Sequence, residues 1–96
     1  MAVLMELEIP LTVEQYDAVE NAVDARSNPP EGFIAHSAQD LGDRMHIRDL
    51  WESAEAFGAF AESRLAPAIN QALGDDAPPS PEPRLTELHN AYGNSA

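Results

Sequence analysis

Between Val3 and Ile9 every second residue is apolar. Val3, Met5, Leu7 and Ile9 fall on one side, and Leu4, Glu6 and Glu8 on the other. A period of two predicts a strand, and Pro10, which has no amide to give to a ladder, ends it. The period then lengthens. Between Leu11 and Arg26 the positions Tyr16, Val19, Ala22 and Val23 make one stripe of an amphipathic helix. Thr12 and Gln15, three residues apart, form a capping box at its start, and "SNPPEG" breaks it. Phe33–Gln39 and Arg44–Glu52 read as two strands around the turn "DLGD", where Gly42 can take a positive φ. Ser53 caps a second helix. Its apolar positions, from Phe57 and Phe60 to Ala72, keep helical spacing as far as Gly74. Pro67 lies inside that pattern and predicts a kink or short break near Leu65. "DDAPPSPEP" is a stiff connector, and Arg84–Tyr92 reads as a fourth strand.

The resulting order, β-α-β-β-α-β, is the ferredoxin-like α+β unit, with a four-stranded antiparallel sheet and two helices on one face. Residues 1–92 are expected to form one domain and 93–96 a flexible tail. Two helices cover one face of a sheet, so a second copy of the chain is the simplest cover for the other, making a homodimer. The 96 residues hold 17 acidic and 5 basic side chains, a net charge of −12. That balance argues against nucleic acid and anionic membrane, which need clustered cations. The absence of cysteine excludes a disulfide framework and a thiol nucleophile. The N-terminus has no signal-peptide pattern and no stretch is long enough to span a bilayer, so a cytoplasmic location is expected.

Candidate chemistry depends on the hairpin register. With a tight "DLGD" turn, Gln39 faces Arg44 and His36 faces Ile47. Ile34, His36, Ala38, Met45, Ile47, Asp49 and Trp51 then share one face, and Phe33, Ala35, Ser37, His46, Arg48 and Leu50 the other. A bulge at Gly42 would reverse the assignment. His36, Asp49 and Trp51 amid apolar neighbours suggest a pocket, expected on the sheet face turned away from the helices. His36 with Asp49 could be a general base with its orienting carboxylate, or a buried pair that sets register. Trp51 could stack on a flat ligand or simply fill core. His89 could serve as acid or base and Asn90 as an oxyanion donor; as neighbours in a strand they point to opposite faces, and both could instead be strand-end hydrogen bonds. Phe57 and Phe60 read as core, and Tyr16 as packing first. Glu6 and Glu8 read as an exposed edge or as partners of Arg48 or Arg84. No metal site is expected, because His36 and His46 fall on opposite faces and no short ligand spacing occurs. A haem would need one histidine as axial ligand, and nothing local supports one.

Residues 3 to 90 resemble small actinobacterial members of the dimeric α/β-barrel superfamily, which includes antibiotic-biosynthesis monooxygenase-like domains. The resemblance is carried by "GFIAHSAQ" with His36, by "DLWESAEAFGAF" with Asp49, Trp51, Glu52, Ser53, Phe57 and Phe60, by "RLAPAI", and by "LHN" at Leu88 to Asn90. It implies two protomers packed sheet against sheet, each with a small-molecule pocket. It also implies a repertoire that includes cofactor-independent oxygenases of aromatic polyketides, haem-degrading enzymes and isomerases. The expectation is a small enzyme of secondary metabolism acting on a hydrophobic, aromatic molecule without a cofactor. His36 would be its base, Asp49 would orient that base, Trp51 would shape the pocket, and His89 or Asn90 would hold a substrate oxygen. A cyclase or isomerase using the same pair, or a non-catalytic ligand-binding or stress-associated dimer, are the alternatives.

Overall fold

A computed structural model describes residues 2–79 and 81–91 of the chain. The strand β1 (Val3–Ile9) lies inside the sheet. It pairs along its whole length with β3 (Met45–Trp51) and over its first half with β4 (Arg84–Glu87), while β2 (Phe33–Asp40) adds to the free edge of β3. The order is β2-β3-β1-β4 and all pairs are antiparallel. This is the ferredoxin-like α+β arrangement expected from the sequence. Val3, Met5 and Ile9 face the helices and are buried.

The helix α1 (Val13–Val23) starts at the expected capping box: the Thr12 hydroxyl accepts from the Gln15 amide, and the Gln15 side chain accepts from the Thr12 amide. The second helical segment is α2 (Ala54–Phe60), a π turn at Ala61–Leu65, and α3 (Ala66–Leu73), closed by Gly74. The expected irregularity is therefore a widened turn, in which the Ala66 amide reaches back five residues to the Ala61 carbonyl. Pro67 explains it. Proline offers no amide to the carbonyl four residues back and its ring crowds that carbonyl, and a π turn relieves both. Gly32 sits at φ +83° against α2, where a Cβ would come 2.5 Å from that of Ala56. Only glycine lets the chain enter β2 so close to the helix.

The hairpin differs from the tight-turn register. Gly42 and Asp43 form its tip, closed by the Leu41 amide on the Arg44 carbonyl, so Gln39 faces His46 and His36 faces Asp49. This is a shift of two residues, and an even shift keeps every side chain on its face. The bulge falls at Ile34 rather than Gly42. It brings Phe33 opposite Trp51, onto the face from which the regular register excluded it, and leaves Ile34 49% exposed.

β4 is shorter than expected. β1 supplies partners only from Glu6 back to Val3, and a last bond runs from the Leu88 amide to the Ala2 carbonyl. His89 and Asn90 therefore lie beyond the strand and are exposed. Tyr92 and the expected tail at 93–96 lie outside the described residues.

The sheet face away from the helices carries Leu4 and Leu50, which face each other across β1 and β3, and Ala35 opposite Leu50, among polar residues. Glu6 contacts Arg48 at 3.5 Å, and Glu8 contacts Arg44 at 2.5 Å. Among the described residues, no helix is long and apolar enough to cross a membrane.

Candidate functional site

The layer between sheet and helices is not one continuous core. It divides into three clusters: Met5, Trp51 and Phe57; Ile9, Leu11 and Met45; and Val19, Val23 and Ala68. Between them lies a partly open cavity of about 660 Å³, within the usual size of small-molecule sites. The sequence leaves this space open because Ala61 and Ala66, where the helix turns past the sheet, line it with side chains too short to fill it. His36, Asp49 and Trp51 all line the cavity. They are on one face together, but it is the helix-covered face and not the open one. The reason is register: Trp51 and Asp49 stand opposite Val3 and Met5, the buried side of β1.

The polar groups form a chain. Asp49 is 6% exposed, and its carboxylate accepts twice: Oδ1 from His36 Nδ1 at 2.6 Å and Oδ2 from Trp51 Nε1 at 3.3 Å. A buried carboxylate needs such partners. With the Nδ1 proton committed to Asp49, His36 Nε2 carries a lone pair that accepts the Tyr16 hydroxyl at 2.5 Å. The rings of Tyr16 and His36 are nearly parallel, with centroids 6.1 Å apart. Glu20, one turn after Tyr16 on α1, places Oε1 3.5 Å from the same Nε2. The chain therefore runs Trp51–Asp49–His36–Tyr16, with Glu20 beside its outer end.

The electrostatics follow the contacts. The hydrogen bond from Asp49 pushes the His36 pKa up, the charges of Asp49 and Glu20 add to this, and burial together with Arg26 opposes it. Tyr16 is also pushed up, first by burial and then by Glu20, so its hydroxyl keeps its proton. Arg26 is the one cationic side chain that is permanently charged among those lining the cavity.

Glu20 and Arg26 are residues that sequence reasoning passed over, and the Tyr16 hydroxyl was ranked behind packing. Tyr16 and Glu20 are four apart on the stripe that carries Val19 and Val23, so a helix drawn against the sheet puts both above it. That signal points to Tyr16 and Glu20, and the register of β2 then brings His36 beneath them. His89 and Asn90, expected to hold a substrate oxygen, are not among the cavity-lining residues; the end of the β4 ladder leaves them at the surface.

No protein-family model and no curated protein matches the sequence. Solved structures do match. A Chloroflexus aurantiacus protein assigned to the antibiotic-biosynthesis monooxygenases superimposes with a TM-score of 0.64 at 19% identity, over 97% of this chain and 98% of that one. The fold is that of the antibiotic-biosynthesis monooxygenase-like proteins. A Streptomyces coelicolor monooxygenase in complex with nanaomycin D superimposes at 0.61, with 19% identity over 98% and 92% of the two chains. A haem-degrading protein of Mycobacterium tuberculosis superimposes at 0.54, with 19% identity over 97% and 100%. At these identities the likeness concerns architecture, and chemistry has to be argued from the side chains of this chain.

Of the three histidines, only His36 lines the cavity, with Nδ1 held by Asp49 and Nε2 accepting the Tyr16 hydroxyl, so a haem iron would have to displace Tyr16 from Nε2. His46 is on the opposite sheet face, facing Glu8, and His89 lies outside the cavity. Among the described residues no three His, Asp or Glu side chains converge as metal ligands.

Proposed function

We propose that this protein is a small-molecule enzyme that removes a proton from an apolar, enolisable aromatic substrate, and that the resulting carbanion reacts with dioxygen without a cofactor. The observation that carries this reading is the Tyr16–His36–Asp49 chain at the wall of an apolar cavity. An acidic C–H group of the substrate gives its proton to Tyr16 Oη as the phenolic proton passes to His36 Nε2. The buried Asp49 carboxylate holds the imidazole in the required tautomer and balances the imidazolium that forms. Arg26 supplies the positive charge towards which the substrate oxygen can turn as it becomes an enolate. The carbanion then passes electrons to dioxygen. A methylene becomes a carbonyl, and the second oxygen atom leaves as water, carrying the hydrogen left on carbon and one proton from solvent in place of the one passed to His36, so no external reductant is consumed. A role in secondary metabolism is in keeping with such substrates.

An isomerase or cyclase would use the same proton removal and return the proton elsewhere on the carbon skeleton. Anthrone, with its acidic methylene, separates the two. An oxygenase takes up one dioxygen per anthraquinone formed, above the spontaneous rate. An isomerase exchanges the methylene hydrogens with deuterated solvent and leaves oxygen untouched. If neither accelerates with anthrone or with hydroxylated naphthalenes, the cavity is a binding site and the enzyme reading falls.

The assembly we propose is a homodimer packed through the open sheet face. The helices leave that face uncovered, and Leu4 and Leu50 form its apolar centre among the ion pairs. Light scattering should give about twice the 10.4 kDa of one chain; a mass of one chain rejects the dimer.

A further inference from the structure

The Tyr16–His36–Asp49 chain has an entrance for a proton but no evident exit along its own length. Asp49 is the inner end, buried, with both oxygens already accepting. Tyr16 meets the cavity, which the substrate fills. Once Nε2 has taken a proton, the base is spent until that proton leaves. Among the described residues, one further acceptor stands beside Nε2: Glu20 Oε1, at 3.5 Å. Its side chain is 31% exposed, against 8% for that of Asp49.

We propose that Glu20 is the proton exit of this site: it draws the Nε2 proton of the His36 imidazolium away from Tyr16 and hands it to solvent. The step is a transfer from Nε2–H to a Glu20 carboxylate oxygen, then to water, leaving neutral His36 and ionised Glu20 as at the start. A small contraction of the 3.5 Å gap makes it a hydrogen bond. α1 supplies the geometry, because Tyr16 and Glu20 are one turn apart and reach the same nitrogen from the same side. Among the described residues, the groups facing His36 are Tyr16 and Glu20 from α1, Asp49 from β3, and Arg26 from the segment after α1. The two carboxylates divide the work. Asp49 is desolvated and holds the ring; Glu20 is wet and can exchange its proton.

This inference rests on His36 being the base, but it can be tested without substrate. Only His36, His46 and His89 contribute imidazole signals, so the His36 ring can be followed by NMR in the intact protein. Glu20→Gln keeps the shape and removes the charge and the acceptor. Two results are expected at low buffer concentration. The variant's His36 titrates at lower pH than in the wild type. Exchange between its neutral and protonated forms slows on the order of 10²-fold, the lower end of what a positioned acid or base contributes. Added formate, a small carboxylate, should restore exchange in the variant and change little in the wild type. If the titration shifts but exchange is as fast as in the wild type, Glu20 is only a nearby charge and the exit is overturned. If neither changes, the contact itself is overturned. Failure of the base reading shows separately, as turnover that survives loss of His36.

Discussion

His36→Gln is expected to lower turnover by about 10²–10⁴-fold, the usual contribution of a positioned general base, while the protein stays folded. About a quarter of the side chain is exposed, 26%, and glutamine fits the space and can still donate to Asp49. The pH profile adds a second criterion. Only neutral His36 can accept a proton, so the wild-type rate should climb as pH rises through its pKa. Asp49 raises that pKa above the ordinary histidine value, so the climb belongs above pH 6.5. Asp49→Asn removes the largest cause of the elevation and should move the climb to lower pH while reducing the plateau, because asparagine orients the ring less firmly. Stability should respond in the matching direction. A pKa raised by folding contributes stability that is full below the unfolded-state value and fades as pH rises through the folded-state value. Urea midpoints of wild type and His36→Gln, compared between acid and neutral pH, should therefore converge as pH rises. A variant that turns over at the wild-type rate on a substrate whose proton is demonstrably removed would transfer the role of base to another group.

How much of this could be read along the chain varies with the range of the interaction. Elements set by local chemistry were legible: the capping box at Thr12 and Gln15, the turn at Gly42, the irregularity imposed by Pro67. So was the association of His36, Asp49 and Trp51 on one face, because a period of two survives any even slip of the hairpin. The face itself was not legible. Both sides of β3 mix polar and apolar residues, and only the pairing of β3 with β1 decides that Trp51 and Asp49 lie with Val3 and Met5. The bulge at Ile34 was equally hidden, since no glycine marks it. The end of β4 is a property of β1, whose partners run out, and so the fate of His89 and Asn90 was written in a segment some 80 residues away. The cavity is the least legible of all. It arises from what alanines fail to fill, and a small residue on a helical stripe reads as core whether or not a larger neighbour reaches across.

Trp51→Ala should produce the largest loss of stability of any single substitution in the chain. Trp51 is 0% exposed, and its ring meets Phe33, Phe57 and Phe60 at centroid distances of 5.6, 5.8 and 5.1 Å. It joins the start of β2, the end of β3 and α2 in one cluster. Truncation of a buried aromatic to alanine costs about 3–5 kcal/mol. A domain of this size has about 5–15 kcal/mol in total, so the urea midpoint should fall by a large fraction and the variant should approach unfolding at physiological temperature. The change also removes the Nε1–H that Asp49 Oδ2 accepts, leaving a buried carboxylate with one donor fewer. Trp51→Phe separates the two effects. It keeps most of the aromatic packing and loses the same hydrogen bond, so the stability loss should be the smaller part. Turnover should still fall, because Asp49 is then held only by the imidazole it is meant to orient. If Trp51→Phe keeps full activity with a modest loss of stability, the indole is core and no more. A loss of activity out of proportion to the loss of stability makes Trp51 the far anchor of the proton chain, the residue that keeps Asp49 in place while His36 gains and loses charge.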